Sequence, residues 1–198
     1  MDGVLVDSLD AHFEAWTEFW ALRGKKHTRK MFDSIVATAS EETLKLRNKT
    51  FNTHVPIRQG VIEREKLFYH HLNQVRLYPG VQDVLRRLSM HYKIGLATST
   101  GSKLTRQLLR KFKIARYFDA VVTKNDVLRS KPDPAIYLLA AKKLNVSPKD
   151  CIVIEDAPFG ILAAKKARMK VIAVEQTFSK AKLRKADKVI PNIRSLQL

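Results

Sequence analysis

The spacing of the hydrophobic positions changes near residue 79 and divides the chain into two kinds of secondary structure. From residue 8 to about 74, apolar residues recur three and four positions apart, as at Leu9, Phe13 and Trp16. This spacing predicts helices. After Tyr78-Pro79-Gly80, short apolar runs alternate with helical patterns. That alternation predicts parallel strands joined by helices.

The second region predicts a sheet covered by helices. The strands are expected at 93–98, 120–124, 151–156, 170–175 and near 188–190, and the helices at about 80–90, 102–113, 134–144 and 158–168. We therefore expect an α/β fold with a Rossmann-like parallel sheet. Because residues 8–78 have little strand character, we expect them to form an α-helical subdomain inserted into that one domain.

The composition predicts a buried core and a cytoplasmic location. Of the 198 residues, 45% are hydrophobic and they are spread along the chain, so a buried core is expected. The longest apolar runs are far too short to cross a bilayer, and the start MDGVLVDSLD lacks the basic residues of a secretory signal. The single cysteine, Cys151, excludes an internal disulfide. We expect a cytoplasmic monomer without a membrane partner.

The net charge of +18 leaves two interpretations open. A basic excess can attract nucleic acid or small anions. The basic residues are scattered over several segments, including 24–30, 106–113, 165–170 and 180–188, mostly on the polar faces of predicted helices. No nucleic-acid module accompanies them. The pattern favours a solvated lysine-rich surface, and binding to a polyanion such as RNA stays as the alternative.

Polar clusters are predicted at four strand ends, where ligands of open parallel sheets collect. They are the acidic turn from Asp2 to Ser8, the hydroxyl run 97–102, the segment Ser130 to Pro134, and the pair Glu155-Asp156. Hydroxyls and backbone N–H groups before a helix can hold a phosphate, and Lys131 can neutralise its charge. Two carboxylates suit a hard cation such as magnesium. Each cluster alone is more often a helix cap or a salt bridge.

Their order and spacing carry the argument. The stretches DGVLVDS, ATST, SKPDP and IEDAPFGILAAKKA resemble the four motifs of the haloacid dehalogenase (HAD) superfamily of hydrolases. They are similar in particular to its β-phosphoglucomutase and phosphoglycolate phosphatase-like members. The resemblance covers essentially the whole chain and implies a HAD core at 1–7 and 79–198, with a helical cap at 8–78.

The first motif of that family is Asp-x-Asp-Gly, in which the first Asp is the nucleophile. Here Asp2 matches the second Asp, so the resemblance puts the nucleophile just before Met1, at the end of a first strand that also lies upstream. Asp2 would act as general acid and base and would help to ligate magnesium through its backbone carbonyl. Thr98 and Lys131 would hold the phosphoryl oxygens, and Glu155 and Asp156 would bind Mg²⁺.

The remaining assignments concern the substrate. The resemblance implies substrate contacts from Ser99 and Thr100, and from His12, which is similar to a cap histidine of the β-phosphoglucomutases. A surface histidine is the alternative for His12, and Asp7 is expected to cap the first helix. Two departures stand out: the cap arginine of the mutases is replaced near Ser40, and Arg168 lies where relatives usually have glycine, to which we attach only surface meaning.

The resemblance thus implies a Mg²⁺-dependent phosphatase that acts on a small phosphorylated metabolite, such as a sugar phosphate or phosphoglycolate, through an aspartyl-phosphate intermediate. A β-phosphoglucomutase-like sugar-phosphate mutase is one alternative. A truncated, non-catalytic phosphate- or RNA-binding protein is another, although it would not need a general acid and a magnesium site. A dehalogenase is disfavoured by the acid pair and by Asp2.

Overall fold

The chain folds into two units, each of which is described by itself. The structure is a computed structural model that describes residues 1–36 and 38–198. The helical unit is Asp7–Arg76, and the α/β unit comprises Met1–Val6 and Leu77–Leu198. The sequence-based prediction had put the insertion at 8–78. The chain passes between the units at two short strands, β1 (Val6–Asp7) and β2 (Arg76–Leu77), which form a two-stranded sheet.

In the part of the helical unit that the structure describes, there are four helices and a short 3₁₀ turn. The helices are α1 (Leu9–Ala21), α2 (Arg29–Asp33), α3 (Ser40–Phe51) and α4 (Ile57–Phe68), and the 3₁₀ turn is Tyr69–His71. The aromatic face of α1 is buried, including Trp16, Phe19 and Trp20, and both α1 and α3 pack against α4. The helical spacing of these apolar residues therefore marks the core of this unit. Ser8 precedes α1, and the Asp7 carboxylate accepts a 3.4 Å hydrogen bond from the N–H of Leu9.

The α/β unit alternates helices and strands along the chain. Its helices are α5 (Val81–Ser89), α6 (Ser102–Lys111), α7 (Ala135–Leu144), α8 (Pro158–Lys166) and α9 (Lys180–Leu183). Its strands are β3 (Gly95–Ala97), β4 (Ala120–Val122), β5 (Ile152–Glu155), β6 (Lys170–Val174) and β7 (Lys188–Ile190). Proline at the first position of α8 starts that helix with a preset φ and no N–H to satisfy.

All of these strands pair in parallel. β3 pairs with β4, and β6 lies between β5 and β7. From Val171 to Val174 every residue of β6 is buried, as expected for a strand covered on both faces. Helix α7 packs on β3 and β4, and α8 packs on β5 and β6. One hydrophobic cluster contains side chains from both helices and from these strands.

The α/β, Rossmann-like prediction is confirmed by the parallel strands and the intervening helices. The predicted strand 93–98 is shorter in the structure because the N–H of Ile94 donates to the side chain of Asp119. The predicted helix 102–113 ends at Lys111, and Lys113 has a φ of 56°. Among the described residues, no helix is long and apolar enough to cross a membrane.

Candidate active site

The carboxylate of Glu155 is the centre of a buried hydrogen-bond network at the end of β5. Its Oε1 accepts from the Lys131 ammonium at 2.6 Å and from the Tyr137 hydroxyl at 2.7 Å. Its Oε2 accepts from the backbone N–H groups of Asp156 and Ala157 at 2.9 and 3.1 Å. Four donors thus occupy the two oxygens, which have room for about four.

This network fixes the ionisation of Glu155. Burial alone would raise its pKa, but the Lys131 ammonium, acting by charge and by its hydrogen bond, lowers the pKa below the usual range, and the Tyr137 hydroxyl contributes to the same effect. The Lys131 and Glu155 side chains are only 13% and 7% exposed. The pair is therefore a desolvated ion pair whose charges need each other.

The neighbouring Asp156 lies in the opposite electrostatic situation. It is also buried, and burial followed by the adjacent charge of Glu155 raises its pKa above the usual range. Gly3 has a φ of 68°, and a Cβ at this glycine would overlap the Asp156 carboxylate. Only glycine allows the turn after Asp2 to approach Asp156 so closely. Two adjacent acids with pKa values moved apart are typical of sites in which they have different tasks.

Asp2 and the hydroxyl cluster after β3 are joined directly. The Thr100 hydroxyl donates to Oδ2 of Asp2 at 2.7 Å. The buried Thr98 hydroxyl accepts from the N–H of Thr100 at 3.1 Å, and the N–H of Thr98 donates to the carbonyl of Val122. Thr98 therefore extends the pairing of β3 with β4 and shapes the loop that carries Thr100. Ser99 lies exposed between them.

Contacts and charges connect these parts. The charge of Lys131 acts on both Glu155 and Asp156. The turn at Gly3 closely approaches Asp156, and Asp2 accepts a hydrogen bond from Thr100. Residues from all four sequence motifs therefore lie close together in the α/β unit.

His12 belongs to the helical unit and has different neighbours. Its Nδ1 lies 2.5 Å from the guanidinium of Arg64, which also donates to its backbone carbonyl, and its ring stacks on Phe68 at 4.4 Å. The guanidinium can only donate, so Nδ1 is the acceptor and the ring proton lies on Nε2.

Sequence reasoning missed Tyr137. It lies on α7, is 5% exposed, and has its hydroxyl on Glu155. A signal was present, because a tyrosine within the apolar run AIYLLAA is buried with a hydroxyl that needs a partner. The sequence did not reveal which group would be that partner.

The donor atoms of the site are of the kind that suits magnesium. All of them are oxygens, from Asp2, Glu155 and Asp156, and a buried carboxylate such as Asp156 gains from a nearby cation. Among the described residues, no group of three or more His, Cys, Asp or Glu side chains is close enough to hold a metal by itself. The residues therefore fit a cation held by few side chains, with backbone, substrate or water oxygens completing its shell.

The α/β unit brings together an acid, threonine hydroxyls, a lysine and an acid pair, which are the kinds of group that a phosphoryl-transfer site would need. The chain belongs to the haloacid dehalogenase-like hydrolase family, whose family model matches residues 1–174. It is accordingly an enzyme of the phosphatase or phosphotransferase type.

Relatives named for their activities support this class. A phosphorylated carbohydrates phosphatase from Thermotoga maritima is 33% identical over 176 residues, which are 87% of this chain and 81% of the relative. A β-phosphoglucomutase from Bacillus subtilis is 34% identical over 188 residues, 89% of this chain and 81% of the relative. The crystal structure of a β-phosphoglucomutase from Clostridium difficile superposes with a TM-score of 0.86 at 28% identity, covering 100% of this chain and 90% of the other.

Proposed function

We propose that this protein is a Mg²⁺-dependent phosphatase that hydrolyses a small phosphorylated metabolite, a sugar phosphate or phosphoglycolate. The observation that carries the proposal is the buried network in which Lys131 is paired with Glu155 and its charge also acts on Asp156. A desolvated ammonium held in place by a carboxylate is suited to stabilise charge on a phosphoryl group. The phosphatase relative, which acts on phosphorylated carbohydrates, supports the substrate class.

Each residue has a defined task in this proposal. Lys131 offsets phosphoryl charge with N–H groups other than the one directed at Glu155, and the loop of Thr98 to Thr100 holds phosphoryl oxygens. Asp2 gives a proton to the leaving group and then takes one from water, and the Thr100 hydroxyl fixes the orientation of its carboxylate. Ser99 lies beside this loop and can supply a further donor.

Magnesium would be held by Asp156, by the Asp2 carbonyl and by Glu155, and it would supply Lewis-acid stabilisation of phosphoryl charge when bound. Asp156 fits this task because its charge has the greater need of a cation. Glu155 already accepts four hydrogen bonds, so its share in the metal site requires one donor to move.

The covalent route needs a carboxylate nucleophile, which the family pattern assigns to the residue preceding Met1. The sheet pairing supports a strand at this place. Among the described residues, β3 pairs only with β4 and β5 pairs only with β6, so each strand has one unpaired edge. An aspartyl-phosphate formed there would be hydrolysed by water that Asp2 activates.

His12 is the contribution of the helical unit to substrate binding in this proposal. Its Nε2 carries the ring proton, so the ring can present a hydrogen-bond donor to an anionic or hydroxylated substrate. A mutase would additionally need to hold a second phosphate, and the arginine that does so in the mutases is replaced near Ser40. We therefore favour phosphate release over isomerisation.

The test is phosphate release by the chain expressed together with the residues encoded immediately upstream of Met1. With Mg²⁺ it should hydrolyse p-nitrophenyl phosphate, sugar phosphates or phosphoglycolate, and Asp2→Asn should reduce kcat by at least about 100-fold. Asp10→Asn, an exposed acid of α1, is the matched control. Full activity of Asp2→Asn would contradict the role of Asp2, and sugar-phosphate isomers formed without free phosphate would favour the mutase.

A further inference from the structure

Tyr137 contacts both members of the buried ion pair. It lies in the first turn of α7, three residues after Pro134 and six residues after Lys131. Its hydroxyl donates to Oε1 of Glu155 at 2.7 Å, the same oxygen that accepts from Lys131. The Lys131 ammonium lies 4.7 Å from the centre of its ring. One side chain thus touches the carboxylate by its polar end and the cation by its aromatic face.

We propose that Tyr137 is a positioning residue that holds the Lys131 ammonium in place for the phosphoryl group, through the hydroxyl bond to Glu155 and through the ring beneath Lys131. The inference rests on the proposed function, because it assumes that Lys131 meets the phosphoryl oxygens. It adds to that function a residue outside the four motifs.

The hydroxyl acts through Glu155. If Lys131 were the sole donor to Oε1, the full attraction of that oxygen would draw the ammonium towards the carboxylate. A second donor on the same oxygen shares that attraction and fixes the carboxylate rotamer. Burial and the neighbouring carboxylate raise the pKa of Tyr137 well above its usual value, so the phenol keeps its proton and remains a donor.

The ring acts on Lys131 directly. An ammonium over an aromatic face is attracted by the ring quadrupole, and the attraction is greater where both groups are desolvated. Lys131 is mostly buried and Tyr137 is 5% exposed, so water does not compete strongly on this side. The lysine stem is long and flexible, and it loses this restraint if the ring is removed.

The plainer interpretation is that Tyr137 only fills the core, since it also belongs to the hydrophobic cluster of α7 and α8. Ile136, the preceding residue of α7, is 2% exposed and belongs to the same cluster. Truncation of Ile136 therefore reproduces the packing defect without touching Lys131 or Glu155. Comparison of the two positions separates positioning from core packing.

The experiment measures binding of inorganic phosphate in the presence of Mg²⁺, by titration calorimetry, to the chain expressed together with the residues encoded immediately upstream of Met1. Tyr137→Phe, which keeps the ring and loses the hydroxyl, should raise Kd about five-fold. Tyr137→Leu, which loses both, should raise it about 20-fold. Ile136→Ala should lower thermal stability while Kd stays within about two-fold, since cavity formation acts on packing. A smaller loss of phosphate affinity in Tyr137→Phe than in Tyr137→Leu is the result expected of a positioning residue.

A second measurement follows Lys131 without phosphate. The side-chain ¹⁵Nζ signals of Lys131 should shift in Tyr137→Phe and should broaden or vanish in Tyr137→Leu, but they should persist in Ile136→Ala. Lys131→Met combined with Glu155→Gln gives a reference that lacks the lysine and leaves no unpaired charge. Phosphate binding that survives in this reference, or that the unaltered chain lacks, contradicts the proposed function. Lys131-dependent binding and unchanged Lys131 signals in both Tyr137 variants overturn the inference alone.

Discussion

The two units differ in the hydrogen-bond partners that they provide for a buried ionisable group. In the α/β unit, Glu155 is buried and accepts from Lys131, Tyr137 and two backbone N–H groups. In the helical unit, His27 is 3% exposed, and neither ring nitrogen has a hydrogen-bond partner among the described residues. His27 lies beside the rings of Phe13 and Phe32, and burial followed by the Arg47 charge lowers its pKa to about 4.

The difference separates two reasons for burying a polar side chain. A charge that is fully paired has a fixed position and can be used on a ligand. A buried imidazole without partners has no such use, and it stays neutral at the expense of stability when the solution becomes acidic. We therefore expect the α/β unit to respond chiefly to the loss of a partner, and the helical unit chiefly to pH.

The largest effect should come from breaking the ion pair. Lys131→Met leaves Glu155 with its charge and without its cation in the core, which should lower the free energy of unfolding by about 3–5 kcal/mol. The measurement is urea-induced unfolding near pH 7. This change makes the α/β unit resemble the helical unit, with a buried polar group that lacks its main partner.

The matched control is the double variant Lys131→Met with Glu155→Gln. A neutral amide has a smaller desolvation cost than a carboxylate. The double variant should therefore recover at least about 2 kcal/mol of the stability lost in Lys131→Met. If the loss in the double variant equals the sum of the losses in Lys131→Met and Glu155→Gln, the lysine and the glutamate are not coupled. The contrast between the two units would then not hold for the α/β unit.

The second effect is the pH dependence of the helical unit. The pKa of His27 is about 4 in the folded chain, whereas the ordinary value for a histidine is 6.5. The unfolded chain therefore binds the proton first as the pH falls below 6.5. Stability is complete above that pH and declines down to about pH 4, by at most about 3 kcal/mol. Thermal unfolding between pH 7 and pH 4 should show this loss.

His27→Leu should flatten the acid side of the stability profile, because leucine suits the apolar site beside Phe13 and Phe32 and cannot bind a proton. The exposed His54 provides the control, since His54→Gln should leave the profile as it is. An unaltered pH dependence in His27→Leu would show that another group causes it.

A third test displaces the paired carboxylate without altering any charge. Gly160 is the third residue of α8, and a Cβ there would overlap the carboxyl group of Glu155. Gly160→Ala should therefore lower the free energy of unfolding by about 2 kcal/mol, although alanine is the better helix former. It should also weaken phosphate binding, since Glu155 must move away from its donors. Gly24→Ala is a useful comparison, because no described residue has an atom within 4 Å of the added Cβ and the positive φ is what opposes the change.

The sequence predicted the order of the elements well, because this order depends on local patterns. The apolar strand 151–156 ends in two acids, and together with the three other polar clusters this predicted a site at the end of β5. The sequence could not show that Glu155 and Asp156 differ, since this depends on which donors fold against each of them. Tyr137 and Gly160 belong to helices in sequence and meet Glu155 only through the packing of α7 and α8 on the sheet.

Arg168 shows the same limit at the surface and gives the smallest predicted effect. The sequence suggested only a surface substitution, but Arg168 follows the end of α8 with a φ of 60°, a left-handed conformation in which glycine is favoured. Arg168→Gly removes the steric cost of that conformation, and part of the gain is lost to the greater freedom of glycine in the unfolded chain. The free energy of unfolding should rise by about 0.5–1 kcal/mol, with phosphate binding unchanged. Lys166→Gly, two residues earlier and within α8, should act in the opposite direction, and a loss of stability in both variants would mean that the side chain of Arg168 matters more than its backbone.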